Sequence, residues 1–182
     1  MKLLIFYYIL MIILSTRVFA QRVILSNEKK YSNISYLLRH PAHNVYATSK
    51  ALEVKIELDK STNQIINAIA RVKVNTFDSQ NSSRDSHAME LIEALKYPYS
   101  TFQTDRIVYN LDSVYIFGNL TFHGKTKPIQ IKAKQWVESQ KLRLKGEFEI
   151  SLESFGVERP KLLFIPADDN LKFDFYVEFI LN

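Results

Sequence analysis

The four histidines of this 182-residue chain are the side chains best suited to metal binding or proton transfer. Two of them, His40 and His43, are separated by two residues, a spacing that can place two imidazoles on one metal ion. His87 or Asp85 could supply a third ligand. Two histidines in a polar loop beside a proline are more often solvated, and His87 lies in a run typical of a helix cap. We therefore predict no metal site and keep a metal-binding protein or enzyme that uses His40, His43 and His87 as the alternative.

The sequence contains no organised nucleophile. Cysteine is absent, which excludes disulfides, thiolate nucleophiles and cysteine-based zinc sites. No G-x-S-x-G nucleophile elbow and no glycine-rich phosphate loop occurs. The acidic pair Asp168-Asp169, followed by Asn170, is typical of a turn before a strand. We therefore expect no enzymatic activity and no cofactor.

The first twenty residues have the order of a secretory signal peptide. Lys2 precedes an apolar run at 3–14, which is shorter than the about 20 residues that span a bilayer. We predict cleavage after Ala20, so that 1–20 is a signal peptide and 21–182 is a periplasmic or secreted domain without a stable membrane span. A retained N-terminal anchor is the alternative. Loss of Lys2 and Arg17 lowers the formal net charge from +5 to +3 without leaving a basic cluster, so we expect no nucleic-acid binding.

The rest of the chain reads as a series of strands. At 51–59 the apolar residues Leu52, Val54, Ile56 and Leu58 alternate with charged residues, which indicates a strand with one dry and one wet face. Similar alternation predicts seven further strands, at 31–39, 65–74, 99–109, 113–122, 128–136, 141–150 and 171–179. Hairpin turns are predicted at 110–112 and 139–140.

One segment has a helical period instead. At 85–96 the apolar residues Met89, Ile92 and Leu95 are three apart, which predicts a short amphipathic helix. Asp85 is the expected N-terminal cap. Pro98 is expected to end the helix, because proline disfavours helical backbone at the residue before it.

Eight amphipathic strands and one helix predict an all-β fold, an eight-stranded antiparallel barrel that buries its apolar face and hides its edges. Such a barrel has an interior wide enough for packed side chains or for one small ligand. The predicted apolar lining consists of Leu52, Val54, Ile56, Ala68, Val72, Phe102, Leu142, Leu144, Phe148, Phe173, Phe175 and Phe179. From the residues alone, these faces can form either a ligand tunnel or a solid core.

Three local motifs resemble those of the YceI-like family. They are RDSH at 84–87, leading to LKYP at 95–98, FGNLTFHGKTKPI at 117–129, and ESFGVERP at 153–160. Their order and spacing are similar to the R-D-x-H helix that ends in K-Y-P, the G-x-L-T-x-x-G-x-T-K-P hairpin and the F-G-V loop of that family. The resemblance covers about 31–182, and the run 120–128 within it consists of fold determinants.

The resemblance implies a lipocalin-like barrel, usually exported, that holds a polyisoprenoid or similar long apolar molecule. We therefore predict an exported lipid-binding protein that sequesters or carries such a molecule, with a possible homodimer as its assembly. Arg159 and Lys161 could meet an anionic head group at the barrel mouth, or lie in a solvated loop. The alternatives are an envelope metal-binding protein or enzyme, and a solid structural barrel.

Export is directly testable, because the apolar run at 3–14 and the residues before Gln21 predict one cleavage site. N-terminal sequencing of the protein from the extracytoplasmic fraction of its host should begin at Gln21. A full-length chain that remains in the membrane fraction would instead support the retained anchor.

Overall fold

A computed structural model describes residues 21–181 of the chain, and the predicted signal peptide lies outside these residues. The described residues form twelve strands and one α-helix. The strands are β1 (Arg22–Ser26), β2 (Asn33–Leu38), β3 (Val45–Ser49), β4 (Glu53–Asp59), β5 (Gln64–Lys73), β6 (Tyr99–Asn110), β7 (Ser113–Phe122), β8 (Lys125–Glu138), β9 (Lys141–Ser151), β10 (Lys161–Leu162), β11 (Ile165–Pro166) and β12 (Asn170–Ile180). The helix, α1, is Ser82–Leu91.

Ten of the strands form one antiparallel sheet, in the order β1-β4-β5-β6-β7-β8-β9-β12-β2-β3. The sheet curls until the segment that follows β1 reaches β12. The backbone N–H of Asn27 donates to the carbonyl of Val54 on β4 at 3.0 Å, and the next N–H, of Glu28, donates to the carbonyl of Glu178 on β12 at 2.8 Å. Because consecutive N–H groups of an extended segment point to opposite sides, residues 27–28, which continue β1, lie between β4 and β12 and join them across this seam. The fold is therefore a lipocalin-like antiparallel barrel with one short helix.

All eight predicted strands are present, and the two predicted hairpin turns are confirmed at Leu111-Asp112 and Ser139-Gln140. The predicted number of eight strands is wrong, because the structure also contains β1, β3, β10 and β11, which the sequence pattern does not reveal. In β1 three consecutive apolar residues, Val23, Ile24 and Leu25, hide the alternation, since Ile24 faces solvent. β10 and β11 have two residues each, too few to show alternation. In β3 the buried residues are Ala47 and Ser49, whereas the large Tyr46 is exposed, so the hydrophobic pattern does not reveal the buried face.

The helix is shifted relative to its prediction. Asn81, rather than Asp85, caps it, by accepting a hydrogen bond from the backbone N–H of Arg84 at 3.0 Å. Asp85 lies in the first turn and accepts from the N–H of Ser79 at 3.2 Å. The helix ends at Leu91 and not at Pro98, because Glu93 has a left-handed backbone with φ of 47° that turns the chain out of the helix.

The barrel has two different ends. At one end, which we call the floor, short turns at 60–63, 111–112 and 139–140 join the strands. At the other, which we call the mouth, α1 and the β10–β11 hairpin are inserted between strands. The inward residues near the floor are large and almost completely buried; they are Ile56, Leu58, Ile65, Leu142 and Phe179.

A buried carboxylate lies at the seam. Glu178 is 4% exposed and accepts hydrogen bonds from Lys141 Nζ at 2.7 Å and Arg143 Nε at 3.0 Å. Its backbone carbonyl accepts from Glu28 N–H, as described above. The hydrogen bond from Lys141, together with that from Arg143, holds the pKa of the Glu178 carboxyl below its usual range, although burial acts in the opposite direction. The charged side chain therefore helps to fix β9, β12 and the segment that crosses the seam.

Replacement of this carboxylate tests its contribution to stability. Glu178→Gln should lower the free energy of unfolding by about 1–3 kcal/mol at neutral pH, since two charge-assisted hydrogen bonds are weakened. Because the folded-state pKa of Glu178 is lowered, the stabilisation is present above the usual carboxyl pKa and is lost as the pH falls through the folded-state value. Urea unfolding at several pH values should show the two proteins converging in acid. A difference that stays constant with pH would contradict this assignment.

Candidate functional site

The mouth half of the barrel encloses an apolar cavity of about 190 Å³. Its wall comes from residues of the seven strands from β4 to β12 in the sheet order, together with β2 and α1. The cavity exists because β5 places two small side chains, Ala68 and Ala70, opposite Ile56 and Val54 of β4, respectively. Larger residues at these positions would fill the space as they do at the floor.

Nine of the twelve predicted lining residues border this cavity. From the first half of the chain these are Leu52, Val54, Ala68, Val72 and Phe102. From the second half they are Leu144, Phe148, Phe173 and Phe175. The other three lie outside the cavity wall in the packed core, where Ile56 is 2% exposed and Leu142 and Phe179 are fully buried. The barrel is thus hollow in its mouth half and solid at its floor.

An aromatic cluster forms one side of the cavity. Phe148 and Phe173 stack with their ring centroids 4.9 Å apart, and Tyr36 packs against Phe77 at 5.3 Å. Tyr36 and Phe77 were not predicted as lining residues. The signal for Tyr36 was present in the sequence, since it alternates with Ile34 and Leu38 along β2. Phe77 lies outside any strand, where periodicity gives no information.

Burial is the main cause of a raised pKa for the Tyr36 phenol, and the nearby Asp85 carboxylate raises it further. Arg84 acts in the opposite direction. The phenol therefore stays neutral and adds a weakly polar group to a mostly apolar wall, which also includes Arg71, Ser100 and Thr101. Such a group can orient a ligand without adding a charge.

Helix α1 covers the mouth. Four residues of this segment contribute to the cavity wall, namely Ala88, Met89, Leu91 and Ile92. Leu95, which was predicted to share their apolar face, lies beyond the helix and is fully exposed. The exposure follows from the left-handed Glu93, which turns the chain before Leu95 can face the barrel.

Hydrogen bonds fix both ends of the helix, at its start to the connection that follows β5 and beyond its end to the barrel. Near its start, Arg84 Nε donates to Ser79 Oγ at 3.0 Å. Beyond its end, Glu93 Oε2 lies 3.0 Å from His123 Nε2, and His123 Nδ1 lies 3.1 Å from the carbonyl oxygen of Phe155. The three motifs singled out in the sequence therefore meet at the mouth, where they hold the helix over the cavity.

The close approach of these motifs at the mouth requires glycine at position 124. Gly124 has a left-handed backbone with φ of 71°, and a β-carbon there would collide with the ring of Tyr97. The Tyr97 ring in turn packs edge-on against His123, with centroids 5.1 Å apart.

The alternative site at the histidines is not assembled. The His40 and His43 rings are 5.8 Å apart, but His40 Nδ1 accepts from Ala42 N–H and His40 Nε2 is 2.9 Å from the carbonyl oxygen of Ile165. His87 lies on α1 beside Glu90. Within residues 21–181, no group of three or more His, Asp or Glu side chains is arranged to hold a metal ion.

The basic pair near the mouth is also engaged within the chain. Arg159 Nε donates to the carbonyl of Ala167 at 2.8 Å, and Lys161 Nζ pairs with Glu158 at 3.0 Å. These contacts brace the loop. They do not form a preassembled anion site.

Comparison with known proteins agrees with this architecture. A family model described as the YceI-like domain matches residues 26–179. The chain belongs to the YceI-like family. Protein YceI of Salmonella newport is 22% identical over 142 residues, which cover 73% of this chain and 74% of that protein.

Solved structures share the fold of this YceI-like chain. BcnA of Burkholderia cenocepacia superimposes with a TM-score of 0.75 at 17% identity, covering 84% of this chain and 98% of BcnA. The Campylobacter jejuni YceI protein gives 0.63 at 20% identity, covering 75% and 84%. A polyisoprenoid-binding domain of Saccharophagus degradans gives 0.62 at 9% identity, covering 89% and 100%. Between residues 21 and 181, no helix of this YceI-like domain is long and apolar enough to cross a bilayer.

A pair of phenylalanines tests the division into hollow and solid halves. Phe179→Ala at the floor should lower the free energy of unfolding by about 3–5 kcal/mol, since it opens a void in a packed core. Phe175→Ala should cost distinctly less, because the ring borders the cavity and lacks packing contacts on that side. Denaturant unfolding of the two variants gives the comparison. Equal losses would mean that the mouth half is packed as tightly as the floor.

Proposed function

We propose that this YceI-like protein binds a polyisoprenoid or a similar long apolar molecule in the mouth half of its barrel and sequesters or carries it outside the cytoplasm. The observation that supports this most strongly is the apolar cavity of about 190 Å³, closed by strands on its sides and by α1 at the mouth. The ligand class is supported by the Saccharophagus degradans domain of the same fold, which is described as polyisoprenoid-binding. The extracytoplasmic location is supported by the sequence at 1–20.

Burial of hydrocarbon is sufficient as the source of affinity. Each methylene moved out of water contributes about 0.8 kcal/mol, so a five-carbon isoprene unit contributes about 4 kcal/mol before the costs of association. An engineered apolar cavity of about 150 Å³ in another protein stays dry and binds benzene. The cavity here is somewhat larger, so it accommodates the end of an isoprenoid chain.

A longer chain needs more room than the cavity offers. Below the cavity the path is blocked by the packed floor, where Leu142 and Phe179 are fully buried. The remaining length must therefore extend toward the mouth, past α1. Tyr36 lines the cavity itself, so it could contact the polar end only of a ligand short enough to fit inside.

Binding without covalent chemistry is the mechanism that the site supports. The cavity wall is apolar apart from residues such as Tyr36 and Thr101, and neither lies in a nucleophile–base pair. The metal-binding alternative requires His40, His43 and His87 together, and the structure does not bring them together. The solid-barrel alternative describes the floor but not the mouth half.

A substitution on β5 tests whether the cavity binds ligand. Ala68→Trp should abolish binding of the fluorescent apolar probe N-phenylnaphthylamine and its displacement by the short isoprenoid alcohol farnesol, because the indole would occupy the cavity. Since the space already exists, the free energy of unfolding should change by less than the about 1–3 kcal/mol typical of overpacking. Ile69→Trp is the matched control, since Ile69 is the next residue on the strand and faces solvent.

Two outcomes would overturn the proposal. One is a wild-type protein that binds neither probe nor farnesol and carries no lipid in native mass spectrometry. The other is an Ala68→Trp variant that binds the probe as well as the Ile69→Trp control does. The same mass spectra would show whether the predicted homodimer forms.

A further inference from the structure

The β10–β11 hairpin ends in exposed apolar side chains. Leu162 pairs with Ile165, so Leu163 and Phe164 form a two-residue turn at the tip. Leu163 is 82% exposed and Phe164 is 96% exposed. The flanking Leu162 and Ile165 are also exposed. Four consecutive apolar residues thus project into solvent, which is unusual for a stable surface turn.

The backbone conformation of this tip disfavours large apolar residues such as Leu163 and Phe164. Leu163 and Phe164 have φ values of 50° and 68°, in the left-handed region that both central positions of a type I′ turn require. Two other two-residue turns in the described chain, at His123-Gly124 and Ser139-Gln140, also have positive φ at both positions. Large apolar residues are unfavourable at such positions, where Asn-Gly would be less strained. Local stability therefore does not explain Leu163 and Phe164.

The hairpin is fixed to the rim of the mouth. At its base, Ala167 N–H donates to the carbonyl of Pro160 at 2.8 Å, and Asp168 N–H donates to the carbonyl of Arg39 at 2.8 Å. Pro160 lines the cavity, as does Leu38, the neighbour of Arg39. His40 Nε2 holds the carbonyl of Ile165. The apolar tip is therefore held at the end of the barrel through which the proposed ligand would pass.

The size and charge of the hairpin indicate what it contacts. A stable protein interface buries about 1,200–2,000 Å², which two projecting side chains cannot supply by themselves. Reversible contact with a bilayer surface has no such minimum area, because each apolar group that enters the bilayer adds to the affinity, by about 0.8 kcal/mol per CH₂ for a lipid chain. The charged groups at the hairpin base are mixed, with Arg159 paired to Glu153 and Lys161 paired to Glu158. Attraction to anionic lipid is therefore not the expected driving force.

We propose that Leu163 and Phe164 insert into the interfacial region of a lipid bilayer and so dock the mouth of the barrel against a membrane. An apolar ligand could then pass between bilayer and cavity with little exposure to water. Transfer of a ligand rests on the proposed function. The docking itself is inferred from the exposed apolar side chains of the tip and from their position at the mouth. The fully exposed Leu95, on the segment that follows α1, offers a second apolar contact near the same end.

The decisive variant replaces the tip by the residues that the turn geometry favours. The mature wild-type protein should float with phosphatidylcholine vesicles, and Leu163→Asn/Phe164→Gly should reduce the bound fraction at least tenfold. The melting temperature should be unchanged or higher, since the backbone strain is relieved. Leu111→Asn is the control, because Leu111 is 99% exposed in a two-residue turn at the floor, and its loss should not affect flotation.

Salt and lipid charge separate insertion from electrostatic attraction. Wild-type flotation should persist in high salt and should not require anionic lipid. Binding that appears only with anionic vesicles, wild-type protein that does not float, or a double variant that floats like wild type would each overturn the proposal. A wild-type dimer that the double variant converts to a monomer, without vesicle binding by either, would assign the tip to a second copy of the chain instead.

Probe binding in the absence of vesicles distinguishes this proposal from the proposed function. The tip double variant should bind N-phenylnaphthylamine in solution as wild type does, whereas Ala68→Trp should float normally and bind no probe. If wild type floats but binds neither probe nor farnesol, the docking stands and the ligand proposal fails. If wild type binds the probe but does not float, the ligand proposal stands and the docking proposal fails.

Discussion

The interior of a closed barrel is filled only by the side chains that its strands turn inward, and in this chain their size changes along the barrel axis. Near the floor, residues such as Leu58, Ile65 and Phe179 meet and exclude all space. One level higher, the antiparallel register sets Ala68 and Ala70 of β5 beside Ile56 and Val54 of β4. Because successive inward positions are two residues apart, this change from large to small takes place within a few residues, and it places the cavity at the mouth end.

This arrangement requires that the curled sheet be held closed, since an open sheet would admit water to the apolar face. The hydrogen-bonded ladder itself ends at β1 and β3. Closure is completed by single contacts: Asn27 and Glu28 join β4 to β12, and Thr48 and Asp78 exchange two backbone hydrogen bonds at 3.0 Å near the mouth. The ion pairs of Glu178 reinforce the first of these contacts from outside the barrel. The cavity is thus a consequence of both inward residue size and seam closure.

Alternation in the sequence was enough to identify the long strands, because their outward faces are charged and their inward faces apolar. It could not separate Val54 from Ile56, since both are apolar residues on the same face of β4. Both face an alanine of β5 across the ladder, so they differ only in depth: Val54 lies nearer the mouth, and Ile56 is one inward position nearer the packed floor. Alternation gives the face of a strand that a residue occupies but not its depth in the barrel. The cap of α1 was misplaced for a related reason. Asn81 and Asp85 are both residue types that cap helices, and in the structure Asp85 instead accepts from the backbone N–H of Ser79, six residues before it.

The attachment of α1 also indicates how a ligand reaches a cavity that is enclosed on its sides. Passage between two strands would break several ladder hydrogen bonds at once, whereas α1 is anchored mainly by the contacts of Arg84 and Asp85 with Ser79 and by the Glu93–His123 pair. A ten-residue helix has little stability of its own, so its position depends on these anchors and on the packing of residues such as Met89 and Ile92. An apolar chain that replaces this packing compensates for the displacement of the helix. The path that breaks the fewest interactions therefore runs beneath α1, at the same end of the barrel as the Leu163-Phe164 tip.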